Sequence, residues 1–304
     1  MSVLAMLKAK GPSGYGYGST AEVVTQGLAL KGKNFLVTGS TSGLGLETVR
    51  VLAQRGGRVF ATGRTKEKAT TACTRVPGVI VPVECELSDP KSVRECVALL
   101  RKDGVHFDAI IANAGIMALP KLQQACGYEL QFFTNHIGHF LLVTGLLEQL
   151  TEKGRVVILS SAAHLRAPKV GIEFDNLSGE RSYSPWAAYG QSKLANLLFA
   201  KELAKKLAGT GKTANAVHPG VIATNLSRNM GFEKIALTIA SPLLLKNEAE
   251  GAATQCYVAV RPELEGVTGE YFADCNVAKS SPISHDAALA TRLWEESERI
   301  AQKV

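Results

Sequence analysis

Residues 34–62 read N-F-L-V-T-G-S-T-S-G-L-G-L-E-T-V-R-V-L-A-Q-R-G-G-R-V-F-A-T. A short apolar run, Asn34–Thr38, has the length and bounds of a buried strand. A glycine- and serine-rich turn follows, and Leu46, Val49 and Leu52 then recur at helical spacing until Gly56-Gly57 stops the helix. A second apolar run, Arg58–Thr62, completes a strand–turn–helix–strand unit. In that setting the turn reads as a phosphate cradle, because a helix N-terminus offers unpaired N–H groups and a positive dipole end. Gly39 permits the tight turn, Gly43 lets the backbone approach a pyrophosphate, and Gly45 lets helix and sheet pack closely. Ser40, Ser42 and Leu44 complete the candidate cradle. The spacing is G-x-x-x-G-x-G, which differs from the G-x-G-x-x-G of the commoner dinucleotide loop.

Outward from this unit the alternation continues. Strands are expected at Val79–Cys85, Phe107–Ala112, Arg155–Ser160, Thr213–His218 and Glu270–Ala273, with helices at 90–103, 121–150, 186–208 and 246–259. Strands alternating with helices predict an α/β fold: a doubly wound, Rossmann-type parallel sheet covered on both faces, in a single domain. Residues 31–304 are assigned to that domain. Residues 1–30 form an N-terminal segment, with a mobile Gly-rich arm at 11–20 and a short helix at Ala21–Leu28 capped by Ser19 or Thr20. The ligand of such a sheet sits beyond the carboxyl ends of the strands, at the switch point.

Composition excludes several classes. Lys and Arg total 34 against 27 Asp and Glu, a net charge of +7, and no run of five like charges gathers the excess into a nucleic-acid stripe. The six cysteines lack C-x-x-C spacing, so no metal site is predicted, and free thiols point to a reducing compartment, the cytoplasm. The N-terminus shows no secretory pattern or anchor. The longest apolar run, Ile235 to Leu245, is about half a membrane span, and the chain reads as soluble.

Residues 186–207, W-A-A-Y-G-Q-S-K-L-A-N-L-L-F-A-K-E-L-A-K-K-L, carry the chemistry. Tyr189 and Lys193 are four apart on one helix and leave the same face. A phenol titrates near ~10, and a neighbouring ammonium favours the phenolate, which predicts that Lys193 lowers the Tyr189 pKa into a useful acid–base range. At the end of the second strand, where an NAD site carries an acid for the ribose 2′-hydroxyl, the chain has F-A-T-G-R-T-K. Arg64 there suits a 2′-phosphate, so NADP(H) is the expected cofactor ahead of NAD(H).

These features together resemble the short-chain dehydrogenase/reductase family over roughly residues 30–280. The family's T-G-x-x-x-G-x-G matches Thr38 to Gly45, its N-A-G turn matches Asn113-Ala114-Gly115, and its Y-x-x-x-K matches Tyr189 and Lys193. The resemblance further implies Asn135 and Ser161 as catalytic residues, Ser161 being preferred over Ser160. It also implies Pro219, Gly220 and Thr224 as the nicotinamide-holding P-G-x-x-x-T segment. Where the family has Asp-Leu at the adenine, this chain has Glu86-Leu87. Asn135 would hold a water linking Lys193 to solvent.

A narrower similarity to the retinol-dehydrogenase-like branch lies in N-H-I-G-H-F-L-L-V-T, A-Y-G-Q-S-K-L-A-N-L-L-F and Y-F-A-D-C-N. It implies hydride transfer between an alcohol and a lipophilic aldehyde, ketone or retinoid-like carbonyl. Leu226, Met230, Phe232, Ile235, Ile239 and Leu243 are expected to line the substrate pocket. Four histidines near the motifs, at 136, 139, 164 and 218, are assigned no role. Phe132, Phe140, Leu197 and Phe199 are read either as a homodimer surface or as core. A dinucleotide-binding redox sensor is the alternative function. The complete Ser–Tyr–Lys set favours the enzyme.

Overall fold

The computed structural model describes residues 8–222 and 245–304. Its main sheet is built from β1 (Asn34–Val37), β2 (Arg58–Gly63), β3 (Val79–Glu84) and β4 (Phe107–Ala112). A two-strand hairpin, β5 (Gln124–Ala125) and β6 (Tyr128–Glu129), stands apart. The sheet resumes with β7 (Leu150–Leu159), β8 (Thr213–His218), β9 (Tyr271–Ala273) and β10 (Asn276–Val277). The order across the sheet is β10-β9-β8-β7-β4-β1-β2-β3, parallel throughout except for the β9–β10 edge pair. The chain therefore runs outward from β1 to β3, returns to β4 beside β1, and runs outward the other way. The switch point falls between β1 and β4, where Phe35, Leu36 and Val37 pair with Ala109, Ile110 and Ile111.

Alternate residues of each strand face opposite layers. Leu36, Ile110, Ala112, Val156 and Ile158 face one core, while Phe35, Val37, Ala109, Ile111 and Val157 face the other. Among the described residues the helices are α1 (Ala21–Val24), α2 (Gly43–Gln54), α3 (Lys66–Cys73), α4 (Pro90–Lys102) and α5, spanning 130–145. They continue with α6 (Pro185–Lys206), α7 (Glu248–Gly251), α8 (Ala253–Val260) and α9 (Ala287–Lys303). Helices α2 and α8 cover the Val37 face, and α4, α5 and α6 cover the Leu36 face. Helix α6 starts with Pro185 at a position where its missing N–H costs nothing. It is buried around most of its circumference, because α9 packs on the side turned away from the sheet.

Several boundaries differ from the sequence expectation. Of the helix expected at 121–150, residues 124–129 are the β5–β6 hairpin, and Leu150 already belongs to β7, which starts five residues before the expected Arg155. Helices α3 and α9 were not read from the sequence. The arm at 11–20, expected to be mobile from its glycines, lies against the β9–β10 turn. Asn276 accepts from Ser13 N (3.0 Å) and donates to Tyr15 O (3.1 Å), and Tyr15 packs edge-on against Tyr257. Thr20, not Ser19, caps α1, accepting from Val23 N. Of the two readings of Phe132, Phe140, Leu197 and Phe199, the structure gives core. All four are at most 2 % exposed, and Trp294 of α9 packs against Phe140 and Phe199.

Candidate functional site

The glycine turn joins β1 to α2 at the switch point. Gly39 has φ +67°, and a Cβ there would lie 2.8 Å from Ala114 Cβ, so both conformation and space require glycine. A Cβ on Gly45 would fall within 2.6 Å of the Asn113 side chain and closer still to Gly39 O, which brings α2 against the turn. Ser40 anchors the turn, its Oγ donating to Val37 O (2.7 Å) and its N–H to Thr62 O (2.9 Å). Ser42 occupies the N-cap of α2 but makes no side-chain cap bond, so the first-turn N–H groups, those of Gly43, Leu44 and Gly45, are not satisfied by it. A cradle that a Cβ would fill, below an uncapped helix N-terminus, fits a dinucleotide pyrophosphate.

Thr38 ties the two sides of the switch point together. Its Oγ1 accepts from the N–H groups of Asn113 and Ala114, both at 2.9 Å, and its carbonyl accepts from Asn113 Nδ2 (2.8 Å). Arg64 is exposed immediately beyond β2, and Gly63 pairs with Glu84, whose carboxylate accepts from Lys66 N (3.3 Å). Glu86 is folded onto its own turn: Oε1 accepts from both the N–H (3.1 Å) and the hydroxyl (2.8 Å) of Ser88. Leu87 is buried under Gly138 at the start of the α-helical part of α5. Pro219 and Gly220 follow β8 directly, and Thr224 and the expected pocket-lining residues 226–243 lie outside the described residues.

The catalytic candidates converge beyond the ends of β4 and β7. Tyr189 and Lys193 lie in α6, with Lys193 Nζ 5.7 Å from the Tyr189 ring centre. Ser161 lies close enough to Tyr189 to lower its pKa, and its Oγ accepts from Ala163 N (3.1 Å). The neighbouring Ser160 hydroxyl is turned away and donates to Lys193 O (2.7 Å), so it serves packing. Lys193 Nζ donates to Leu159 O (3.0 Å). Asn135 lies in a π-helical stretch, Phe133–Ile137, inside α5, an irregularity that recurs at functional sites. Its Oδ1 accepts from Ile116 N (2.8 Å), and its Nδ2 donates to Ile116 O (3.0 Å) and Ser192 Oγ (2.9 Å). A Cβ on Gly115 would sit 3.1 Å from Asn135 Oδ1 and 3.4 Å from Lys193 Nζ, which places all three at one spot.

The electrostatics differ from the sequence expectation. Burial pushes the Tyr189 hydroxyl up to about 12, against a smaller lowering by the Ser161 hydrogen bond, and pushes the Lys193 ammonium down to about 8. The cause is that loss of water penalises the charged form of each group. The net direction at Tyr189 is therefore upward, set by burial, opposite to the lowering expected from its spacing to Lys193.

Sequence reasoning assigned nothing to His139, and the structure gives it a defined place. Its Nδ1 meets Asn135 O at 2.9 Å, and its Nε2 meets Thr38 Oγ1 at 2.8 Å. A carbonyl only accepts, so Nδ1 carries the hydrogen and the Thr38 hydroxyl donates to Nε2. Burial holds this imidazole neutral, down to about 4. One neutral ring thus joins the backbone of Asn135 to the hydroxyl that holds the Asn113–Ala114 turn. The available signal was its i,i+4 relation to Asn135 in N-H-I-G-H-F.

Among the described residues no group of three or more His, Cys, Asp or Glu is placed to hold a metal, and no helix is long and apolar enough to cross a membrane. A parallel sheet with a glycine cradle at its switch point, beside a half-buried Ser161 and the buried Tyr189 and Lys193, defines a dinucleotide-binding α/β protein. The model of the short chain dehydrogenase family matches residues 33–234, and the chain belongs to that family of oxidoreductases. It is 42 % identical to the chloroplastic short-chain dehydrogenase TIC 32 B of Brassica napus, over the whole of both chains. It is 39 % identical to retinol dehydrogenase 12 of Mus musculus, covering 90 % of this chain and 88 % of that one, which supports the retinol-dehydrogenase-like resemblance. A crystal structure of a protein from Mycobacterium paratuberculosis superposes with a TM-score of 0.76 at 33 % identity, covering 94 % of this chain and 98 % of that one.

Proposed function

We infer that the protein is an NADP(H)-dependent oxidoreductase that interconverts a lipophilic alcohol and its aldehyde or ketone, with Tyr189 as the acid and base. The observation that carries this reading is the buried Tyr189, next to Ser161 and beside Lys193, with the Lys193 ammonium and Asn135 meeting at Gly115 next to the glycine cradle. The Gly39–Gly45 turn, Asn113–Gly115 and Pro219-Gly220 would hold the cofactor, which would supply or take up the hydride. Arg64, with no acid in its place, selects the 2′-phosphate by charge-assisted contact. The Ser161 hydroxyl orients the substrate carbonyl. Tyr189, fully protonated at neutral pH when its pKa lies near 12, gives its proton to the developing alkoxide in reduction and accepts one in oxidation. Asn135 braces the backbone at Ile116 beside Lys193.

A lipophilic substrate is supported by the likeness to retinol dehydrogenase 12 and by two large apolar side chains, Leu165 at 66 % and Val221 at 54 % exposure. They flank the turns that follow Ser161 and Gly220. The reading requires no nucleic acid and no membrane span. The six cysteines are all free, which fits the cytoplasm, and a fluorescent fusion would separate that location from the chloroplast of the Brassica relative.

The test is NADPH oxidation with a series of straight-chain aldehydes. Each added methylene should improve binding by up to ~0.8 kcal/mol until the pocket is full. A flat series, or preference for short polar carbonyls, overturns the lipophilic substrate. Tight NADPH binding with no turnover on any carbonyl would favour the redox-sensor alternative.

A further inference from the structure

Lys246 is a buried cation that the proposed chemistry does not use. Only 1 % of its surface is exposed, and its Nζ donates to Asp274 Oδ1 at 2.6 Å, a carboxylate that is itself partly exposed. The ammonium also lies 4.8 Å from the centre of the Tyr17 ring, within range of a cation–π contact. Its backbone is equally engaged: Lys246 N donates to Val221 O (2.9 Å), and Ile222 and Lys246 form a parallel β-bridge. The lysine stem runs directly beside Gly220, where a Cβ would come within 2.6 Å of Cδ. Three pieces of chain that are remote in sequence therefore meet on one side chain. They are the N-terminal arm through Tyr17, the turn between β9 and β10 through Asp274, and the segment that leaves β8 through Gly220 and Val221.

The arm and the β9–β10 turn are each held from behind. Asp274 and Cys275 adopt φ of +51° and +62°, and Asn276 Nδ2 fixes this tight turn by donating to Asp274 O (2.7 Å). Asn276 also holds the arm at Ser13 and Tyr15, which ties the arm to the turn. A lysine removed from water is tolerated only when its charge is met by a counter-ion and further polar or aromatic contacts. Here the partners also dictate where the lysine stem lies, and the stem packs so close to Gly220 that no side chain fits there.

We propose that Tyr17, Lys246 and Asp274 form a strut by which the N-terminal arm fixes the Pro219-Gly220 wall of the cofactor cleft, making Lys246 a positioning residue for the dinucleotide. The proposal rests on the cofactor reading given above. It assigns the arm a role in cofactor affinity.

The test compares Tyr17→Ala, Lys246→Met and the exchanged pair Lys246→Asp/Asp274→Lys with the full-length parent. NADP+ affinity is measured by calorimetry, NADPH KM and kcat by absorbance, and folding by thermal denaturation. Tyr17→Ala and Lys246→Met should weaken NADP+ and raise NADPH KM by about tenfold, the scale of mutations that act through a packed neighbour. Their kcat at saturating NADPH should stay within about twofold of the parent, and the exchanged pair should recover part of the lost affinity. Unchanged affinity and KM in Tyr17→Ala and Lys246→Met would overturn the strut. Loss of kcat in parallel with thermal stability, with KM unchanged, would also overturn it, since that marks general destabilisation. If the parent itself failed to bind NADP+, the cofactor reading would fall first, which separates the two failures.

Discussion

Replacing Tyr189 by Phe removes one hydroxyl and keeps a ring that packs edge-on against Trp186. NADP(H) binding should persist while turnover falls by roughly two to four orders of magnitude, the range expected for loss of a general acid. Near-normal turnover in that variant removes Tyr189 from the proposal. The two adjacent serines offer a sharper comparison. Ser161→Ala deletes the hydroxyl that faces Tyr189, whereas Ser160→Ala deletes one that donates to Lys193 O inside the core. The first should lower kcat with little effect on stability. The second should cost about 1 kcal/mol of stability and leave the chemistry largely intact, since a buried acceptor loses its donor. Arg64→Asp should invert the ratio of catalytic efficiencies with NADPH and NADH, because a carboxylate repels a 2′-phosphate and accepts from a free 2′-hydroxyl. An unchanged ratio would move phosphate recognition to Lys66 or Lys68.

Helix α9 shows how one element settles what a neighbouring surface does. Its Trp294 packs against Phe140 and Phe199, its Leu293 joins Phe132 and Leu194 in the same core, and Ser297 meets the His136 ring at 2.8 Å. Trp294→Ala should therefore destabilise the protein by about 3 kcal/mol or more, read from the midpoint of urea unfolding. Ending the chain before Ala287 should uncover this aromatic face and turn the protein toward self-association, measured by light scattering. A truncated protein that stayed monomeric and stable would show that α9 contributes little. The glycine turn and α6 were legible in the sequence because their signals are local: glycine spacing beside a strand, and an i,i+4 pair on a periodic helix. Helix α3 is short and carries few apolar residues, so periodicity had little to act on. The hairpin at 124–129 was absorbed into a predicted helix, and its turn at Cys126-Gly127 needs positive φ at both residues, a demand that Cys126 does not announce.

The whole molecule carries a pH dependence written in histidines that are fully buried, His136 and His139, or half-buried, His218. Burial lowers His136 to about 3 and His139 and His218 to about 4, from an ordinary value near 6.5. Between those limits the unfolded chain takes up protons that the folded chain refuses, so stability falls as pH drops from about 6.5 toward 4. Each such group contributes a slope of about 1.4 kcal/mol per pH unit inside that window. Urea midpoints measured at pH 7 and pH 5 should show the decline, and His136→Asn should flatten it by about one proton. A midpoint that is constant down to pH 5 contradicts the buried, neutral state of these rings. The lowered Lys193 acts in the opposite range: stability should rise as pH passes from about 8 to 10.5, where the unfolded lysine still holds its proton.

By itself the sequence determined the alternation of strands and helices, the glycine turn at the switch point, and the Tyr189–Lys193 pair, because each is encoded within a few residues of contiguous chain. It also supplied the motifs that placed the protein in its family. Only the tertiary structure decided which way the pKa values of that pair move, because desolvation depends on everything packed around the two groups. It likewise decided that the Ser160 hydroxyl belongs to the core, that Glu86 turns onto Ser88, and that the aromatic face of α5 and α6 is covered by the chain's own last helix. The His139 bridge and the Lys246–Asp274–Tyr17 junction joined the same list for one physical reason. The deciding partners, Thr38 for His139 and Tyr17 and Asp274 for Lys246, lie tens to hundreds of residues away along the chain, and a contact of that kind leaves no periodicity or spacing for a reader of one sequence to find.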